Sequence, residues 1–561
     1  MADPVTELRS AVEAAAAALL DGPRQTGRSS ASPAERPRTK GSQSTLERPP
    51  KPEFGDYSTN AAMLLAPALG EQPRETAEKL AEELARTLAG KVERVEVAGP
   101  GFLNLFLADA WYRRAASELA QQRDRLGRPP GADAVTERVN VEFVSANPTG
   151  PVTAASGRHA AYGDSVARLL EFTGHPVVRE YYSNDRGGQI DRFAESIAAR
   201  IKGDPLPEDG YEGDYVAELA GRLDQEGVDS GDLDALARRG MALMLEQIEE
   251  TLRRYNVVYD TWSSERALHE SGLVERALSE LRGAGHVYES EGATWLRTTE
   301  FGDDKDRVLI RSEGDPTYFL SDIAYHRDKL ERGADRLINV LGADHHGYPP
   351  RLRAALAALG YAPDVLETPI MQLVHVIEGG ERAQMSKRRG EFVTLDELID
   401  DIGADAARFF MLQRSYDTPV DLDLELARKT SNENPVYYVQ YAHARIASIL
   451  RKAGEDAVER AQAADFDASG APIEPSERAL IKRLCELPDE VAQAAERRAP
   501  HRLCAYGMEA ARDFHAFYRD CQVVGAEGAG VEEARLGLCL LTKRTIARTL
   551  GLLGISAPDR M

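Results

Sequence analysis

The sequence predicts a multidomain α/β protein, in which a Rossmann-type parallel-sheet domain lies between a small N-terminal α+β domain and an all-α C-terminal bundle. Three observations predict it. At 561 residues the chain is too long for one hydrophobic core and has room for roughly three or four domains. From about residue 137 short apolar runs alternate with helical periodicity, the pattern of parallel strands joined by helices. After about residue 400 the strand signal vanishes and amphipathic helices run to the C-terminus.

Composition narrows the class. Hydrophobic residues make up 42% and charged residues 29%, an ordinary globular balance. No apolar run is long enough to span a bilayer, and the acidic opening MADPVTELRSAVEAAAAALL reads as an amphipathic helix, not a signal peptide. Cys485, Cys504, Cys521 and Cys539 have no C-x-x-C spacing and read as four reduced thiols, which suits the cytoplasm. The net charge of −23 disfavours indiscriminate nucleic-acid binding but leaves room for a local basic groove.

The elements follow in order. Residues 1–108 form the N-terminal α+β domain. Within it, 22–51 is rich in Pro, Ser, Gly and Arg without apolar periodicity, a flexible basic insertion acting as a spacer or touching a phosphate backbone. RETAEKLAEELARTLAG has a 3.6 period, and VERVEVAGPGFLNLFL reads as two strands around Gly99-Pro100-Gly101. Residues 109–136 form a helical connector. The parallel-sheet domain, 137–400, opens with the strand RVNVEFVS, the helix SGRHAAYGDSVARLLEFTG and the strand HPVVREYYSND. It carries a helical insertion around 190–260, and DRLINVLGADHHGY reads as a later buried strand. Such a sheet places its ligand site at the strand carboxyl ends. Residues 401–561 are the bundle.

Four segments carry chemistry. SANPTGPVTAASGRHAAYGD joins strand to helix, and the turn at Pro148, Gly150 and Pro151 would present helix N-terminal N–H groups to an anion such as a triphosphate; any strand-to-helix turn has a similar outline. QMSKRRGEFVTLDELI is a basic loop before a helix with Thr394 as plausible N-cap, either a phosphate-closing loop or a solvated turn. GADHHGY suits a nucleoside-contacting turn or a buried polar cluster. Zinc is the weakest reading, because adjacent histidines seldom converge on one ion. PTYFLSDIAYH sets Tyr318 and Asp322 on one helical face, where they would suit a guanidinium or simply begin a helix.

In this order and at these distances the segments resemble those of arginyl-tRNA synthetases, class I enzymes with HIGH and KMSK signatures. EFGDYSTNAA and VAGPGFLNLFL resemble the family's N-terminal tRNA-contacting domain. VEFVSANPTGP, REYYSND, GDDKDRVLIRSEGDPTYFLSDIAYH, LINVLGADHHGYPPRL and MSKRRGEFVTLDELI resemble its catalytic domain. SNENPVYYVQYAHARI and GISAPDRM resemble its anticodon-binding domain.

The resemblance implies ATP-dependent ligation of L-arginine to tRNA(Arg) through arginyl-adenylate, with acyl transfer to the 2′-hydroxyl of the terminal adenosine. It implies Mg²⁺ accompanying ATP and no tightly held protein metal, in a cytoplasmic monomer without membrane contact. Arginine would meet Glu142, Ser145, Asn147, Tyr318, Asp322 and Gln372, with Asp322 facing the guanidinium. ATP would meet Pro148, Gly150, Thr153, Ser156, Gly342, Asp344, His345, His346, Met385, Ser386 and Lys387; catalysis would fall to Lys387, Ser386, Thr153 and Ser156. Tyr57, Asn60, Asn434, Tyr438 and Tyr441 would contact tRNA.

Two positions depart from the pattern. The family reads Pro-Leu-His-x-Gly-His after Thr-Gly; here Pro151 is followed by Val152, Thr153, Ala154, Ala155 and Ser156, so hydroxyls replace both histidines. His159 lies one turn along on the face of Ser156 and would reach the site only through an unwound helix. Gln384 replaces the first lysine of KMSK, while Arg382, Arg388 and Arg389 keep the loop basic. Losing one transition-state donor typically costs roughly 10²–10³ in rate, so the alternative is a tRNA-binding paralogue with impaired or lost adenylation. The surviving arginine pocket, ADHH turn and MSK loop favour an active ligase with a rearranged phosphate grip.

Overall fold

The computed structural model describes residues 3–21, 46–382, 393–463, 466 and 472–561. The basic insertion therefore lies outside the described residues up to position 45. The N-terminal unit starts with helix Pro4–Asp21 and adds helices Ala61–Leu69 and Pro73–Thr87. They cover an antiparallel sheet ordered Leu46–Glu47, Tyr57–Thr59, Phe102–Leu107, Val92–Ala98. The last two strands are the expected hairpin; the first two are an addition to the sequence reading. In the hairpin turn Gly101 has φ 141°, and a side chain there would meet the Pro73 carbonyl at 3.0 Å.

The central sheet is wholly parallel, in the order Leu366–Glu367, Arg336–Asn339, Val139–Glu142, Val177–Ser183, Thr261–Ser264. The chain builds outward from Val139–Glu142 to one side, then returns to lay Arg336–Asn339 on the other. Order therefore reverses between these two strands, and the loops leaving their carboxyl ends diverge to open a crevice. All four residues of Val139–Glu142 are buried. Asn140 and Glu142 tolerate this because both are hydrogen-bonded, Asn140 to Glu180 and Glu142 to Ser145, Asn339 and Lys329.

Helices Gly188–Lys202, Asp214–Gln225 and Leu233–Arg254 form the expected insertion and share a separate apolar core around Phe193, Leu223 and Met244. A three-stranded antiparallel sheet, Val287–Ser290, Ala293–Leu296 and Arg307–Ile310, was not foreseen. Nor was strand Val420–Asp423, which pairs in parallel with Val374–Glu378 and corrects the expectation of helices alone after residue 400. It alternates buried and exposed residues over only four positions, too short a run to stand out from loop sequence. From Pro435 to Leu552 the described elements are helical. The bundle is locked to the sheet domain by a buried ion pair, Arg408 to Asp164 at 2.6 Å, whose guanidinium also donates to the Leu553 and Tyr255 carbonyls. All four cysteines are free thiols and buried.

Candidate active site

The loop leaving Val139–Glu142 is strained. Val144 has φ 70° and Ser145 φ 40°, a conformation that is a genuine outlier for a β-branched residue. Neighbouring groups hold it there. The Ser145 hydroxyl donates to Glu142 at 2.9 Å and accepts the Tyr182 N–H at 3.1 Å. The Tyr181 hydroxyl donates to the Ala146 carbonyl at 2.8 Å, and that of Tyr259 to the Phe143 carbonyl at 2.9 Å. Asn147 donates to Gln189 at 2.6 Å. Pro148 is buried, and Gly150 passes beneath Tyr215, whose hydroxyl donates to the Thr149 carbonyl.

The loop delivers helix Ala154–Phe172, with Thr153 as its N-cap. The Thr153 oxygen accepts the Ser156 N–H at 3.2 Å, and the two hydroxyls lie 3.1 Å apart. One of their two protons is spent on the other, so the pair has a single O–H donor for a ligand. The expected Met385, Ser386 and Lys387, with Gln384, Arg388 and Arg389, lie outside the described residues. The residues that follow them are built into the helix entry: Ala154 donates to the Val393 carbonyl at 2.9 Å and Leu395 to the Val152 carbonyl at 2.8 Å. Thr394 then caps helix Leu395–Ile402, as its sequence predicts, and Glu397 completes a reciprocal capping box.

Across the crevice, Leu341–Gly342 continues from Arg336–Asn339 into the turn Ala343–His345. Asp344, His345 and His346 are all exposed, which removes the buried-cluster reading of this turn. Helix Ala154–Phe172 is continuous, so the condition set for His159 to reach the site, an unwound helix, is not met. Even so, the His159 ring reaches the turn: a side chain built on Gly342 would meet its Cε1 at 3.7 Å.

Asp322, on helix Tyr318–Glu331, lies at the centre of an acidic chamber. Burial, then Glu142 and Glu265, push its carboxyl up to about 8. Burial and Asp185 push Glu265 up to about 7. Tyr182 is raised by burial and then by the negative charge of Glu265, Asp322, Glu142 and Asp185. Three buried polar atoms at neighbouring strand ends have no hydrogen-bond partner, namely Ser183 Oγ, Asn184 Oδ1 and Glu265 Oε2. Orphaned buried acceptors disfavour the folded state unless a donor-rich group fills the space.

Glu265 and Tyr182 were missed by sequence reasoning. Glu265 is one of 92 acidic residues, and nothing local marks it. Lys329, also missed, is a fully buried lysine paired with Glu142. Glu142 accepts from Lys329 and Asn339 on one oxygen and from Ser145 on the other, which fixes its carboxylate beside Asp322 and leaves acceptor capacity on Oε1. Tyr318 is 60% exposed at the mouth, with its hydroxyl beside Gly187. Gln372 lies past strand Ile370–Met371, with its carbonyl held by buried Arg158.

Two expected RNA contacts are corrected. Tyr57 is 3% exposed in the N-terminal core, edge-on to Trp111. Asn434 is buried as the N-cap of helix Pro435–Ala453 and donates to the Ala427 and Lys429 carbonyls. A polar asparagine before Pro-Val-Tyr-Tyr reads equally as cap or contact, and its packing decides. Asn60, Tyr438 and Tyr441 remain half-exposed. Tyr438 and Tyr441 join an aromatic surface with Tyr437, His515 and Tyr518, with Arg445 over the Tyr518 ring at 4.9 Å.

Comparison with known proteins places this geometry. Three family models match: the arginyl tRNA synthetase N terminal domain over residues 6–107, the catalytic domain of class I (R) tRNA synthetases over 222–441, and the DALR anticodon binding domain over 439–561. The catalytic match begins beyond the departing segment Val152–Ser156. Curated arginine–tRNA ligases of Shouchella clausii and Desulforudis audaxviator are 44% and 46% identical, each over 92% of this chain and 94% and 93% of their own. The solved arginyl-tRNA synthetase of Thermus thermophilus superposes over the whole of both chains with a TM-score of 0.73 at 27% identity.

Proposed function

The chain belongs to the arginyl-tRNA synthetase family, and from that premise we propose how the described geometry carries out the family's reaction. ATP-driven charging of tRNA with L-arginine on a class I catalytic domain is its function. The substrate guanidinium enters the acidic chamber. There Asp322 and Glu265 supply negative charge, and the orphaned acceptors of Glu265 and Asn184 take its fixed fan of N–H donors. Tyr318 closes the mouth, and Asn147, with Ser145 behind it, meets the α-amino and carboxylate end at the strained loop. Gln372 borders the same crevice.

ATP lies across the crevice. Its phosphates face the N-terminus of helix Ala154–Phe172, with Pro148, Gly150, Thr153 and Ser156 around them. Its nucleoside lies against Gly342, Asp344, His345 and His346. Magnesium arrives with the nucleotide as part of the substrate. Met385, Ser386 and Lys387 are assigned to the phosphates, and Val393 and Leu395, which follow them in the chain, are bonded to the helix entry at Ala154 and Val152.

The arginine carboxylate attacks the α-phosphorus and pyrophosphate leaves. The 2′-hydroxyl of the terminal adenosine then attacks the acyl carbon and AMP leaves. Neither step needs a protein nucleophile; positioning and charge neutralisation supply the catalysis. We assign residues 1–108 and 401–561 to tRNA contact, 109–136 to the connector and 137–400 to catalysis, in a monomer working in the cytoplasm.

The observation that supports this reading is the partnerless acceptor set beside two carboxyls held above their ordinary range, surroundings that suit a donor-rich cation. Purified protein supplied with ATP, magnesium and a tRNA pool should charge arginine and reject lysine, whose single ammonium leaves acceptors unpaired. Failure to charge arginine would refute an active phosphate grip without the two histidines.

A further inference from the structure

The imidazole of His159 has no assigned task, although it occupies the crevice between the two halves of the nucleotide cleft. Cε1 is the ring carbon bonded to both nitrogens, and it is the atom nearest Gly342. The ring thus approaches the turn Gly342–Asp344 by the carbon that both nitrogens flank. His159 is half-buried, and among the described residues its ring makes no hydrogen bond. Its neighbour Arg158 is, by contrast, fully committed, donating to the carbonyls of Gln372, Ser415 and Thr418 at 2.8 Å each. A half-buried imidazole beside the turn, with no hydrogen-bond partner among the described residues, is available to a ligand.

Its position along the helix selects the part of the ligand. Ser156 is at the helix N-terminus, where the N–H groups favour phosphate. His159 is three residues on, about 4.5 Å further along the axis, and level with the turn Gly342–Asp344. We propose that His159 is a nucleoside-binding residue: its imidazole hydrogen-bonds the ribose of ATP where that ribose lies against Gly342. This rests on the nucleotide cleft proposed above. Burial and the adjacent Arg158 push the ring down to about 4, with Asp344 opposing and His345 adding to that shift. The ring is therefore neutral during turnover and offers one donor and one acceptor, a match for a vicinal diol. It does not supply a cation to the phosphates, so it does not restore the lost histidines in kind.

The test separates ground-state binding from transition-state stabilisation. With full-length protein and tRNA, His159→Ala should raise the KM for ATP about three- to tenfold, the loss expected for a neutral hydrogen bond. The kcat should change less than twofold and the KM for arginine stay unchanged. His159→Gln, which retains a donor and an acceptor, should recover part of the loss. For the wild type, 2′-deoxy-ATP or 3′-deoxy-ATP should show a raised KM that the Ala variant no longer distinguishes from ATP. An unchanged KM for ATP in His159→Ala would overturn the proposal, as would a fall in kcat alone, which would place the ring at the phosphates. Gly342→Val tests the cleft itself, because the added side chain would stand beside the His159 ring, where the nucleoside is placed. If that variant folds and leaves the KM for ATP unchanged, the nucleotide placement is wrong, independently of His159.

Discussion

Arginine should bind more tightly as pH rises, because the chamber must lose protons to receive a cation. In the free protein Asp322 is held up to about 8 and Glu265 up to about 7. At pH 6.5 a carboxyl of pKa 8 is ionised in roughly one molecule in thirty, and at pH 8 in about half. Deprotonation of Asp322 alone therefore improves arginine binding about 15-fold between pH 6.5 and 8, and Glu265 titrating independently extends this to at most ~60-fold. Arginine remains cationic throughout the window, so the change belongs to the protein.

Isothermal titration of arginine in two buffers of different ionisation enthalpy should report release of about one proton near pH 7. The sign for stability follows. A carboxyl raised on folding makes no difference below its unfolded value near 4 and destabilises the ligand-free fold as pH climbs toward 8. Bound arginine removes that penalty, so the rise in Tm produced by saturating arginine should grow from pH 6 to pH 8. In Asp322→Asn the Kd should be high at every pH and its slope reduced. A Kd that is flat or rises with pH in the wild type, or binding without proton release, would refute the assignment of these carboxyls to the guanidinium.

Two further outcomes follow from the buried charges and caps. Lys329→Met should destabilise the protein by about 3–5 kcal/mol in urea unfolding, because it strands the buried Glu142 carboxylate, and adding Glu142→Gln should recover much of the loss. An additive double variant would show that the pair is not coupled. Asn434→Ala should lower stability by about 1–3 kcal/mol, since it removes a helix cap and leaves two carbonyls without their donor. Tyr441→Ala should instead leave stability nearly unchanged and weaken tRNA binding by about 1–3 kcal/mol through lost stacking; the reverse pattern would return Asn434 to the RNA surface.

The order of layers was legible in the sequence because each depends on local periodicity. The βαβ opening at 139–183, the inserted helices and the capping box at Thr394 and Glu397 are set by residues within a few positions of one another. The candidate site was legible only through contiguous segments: Asp322 with Tyr318, the Gly342–His346 turn, and the helix entry at Thr153. Tyr57 and Asn434 were misread because a polar or aromatic residue in a recognisable segment looks the same whether it faces solvent or closes a core.

By itself, then, the sequence determined the sheet type, the order of the layers and the helical face that Tyr318 and Asp322 share, since chain geometry and side-chain chemistry act at short range. Only the tertiary structure decided that Glu265 joins Asp322 from a neighbouring helix, that Lys329 pairs with Glu142 and that His159 meets Gly342 from an intact helix. Those meetings join residues between 57 and 187 positions apart. The energies that fix them, desolvation and charge pairing, depend on distances in space that no local pattern records.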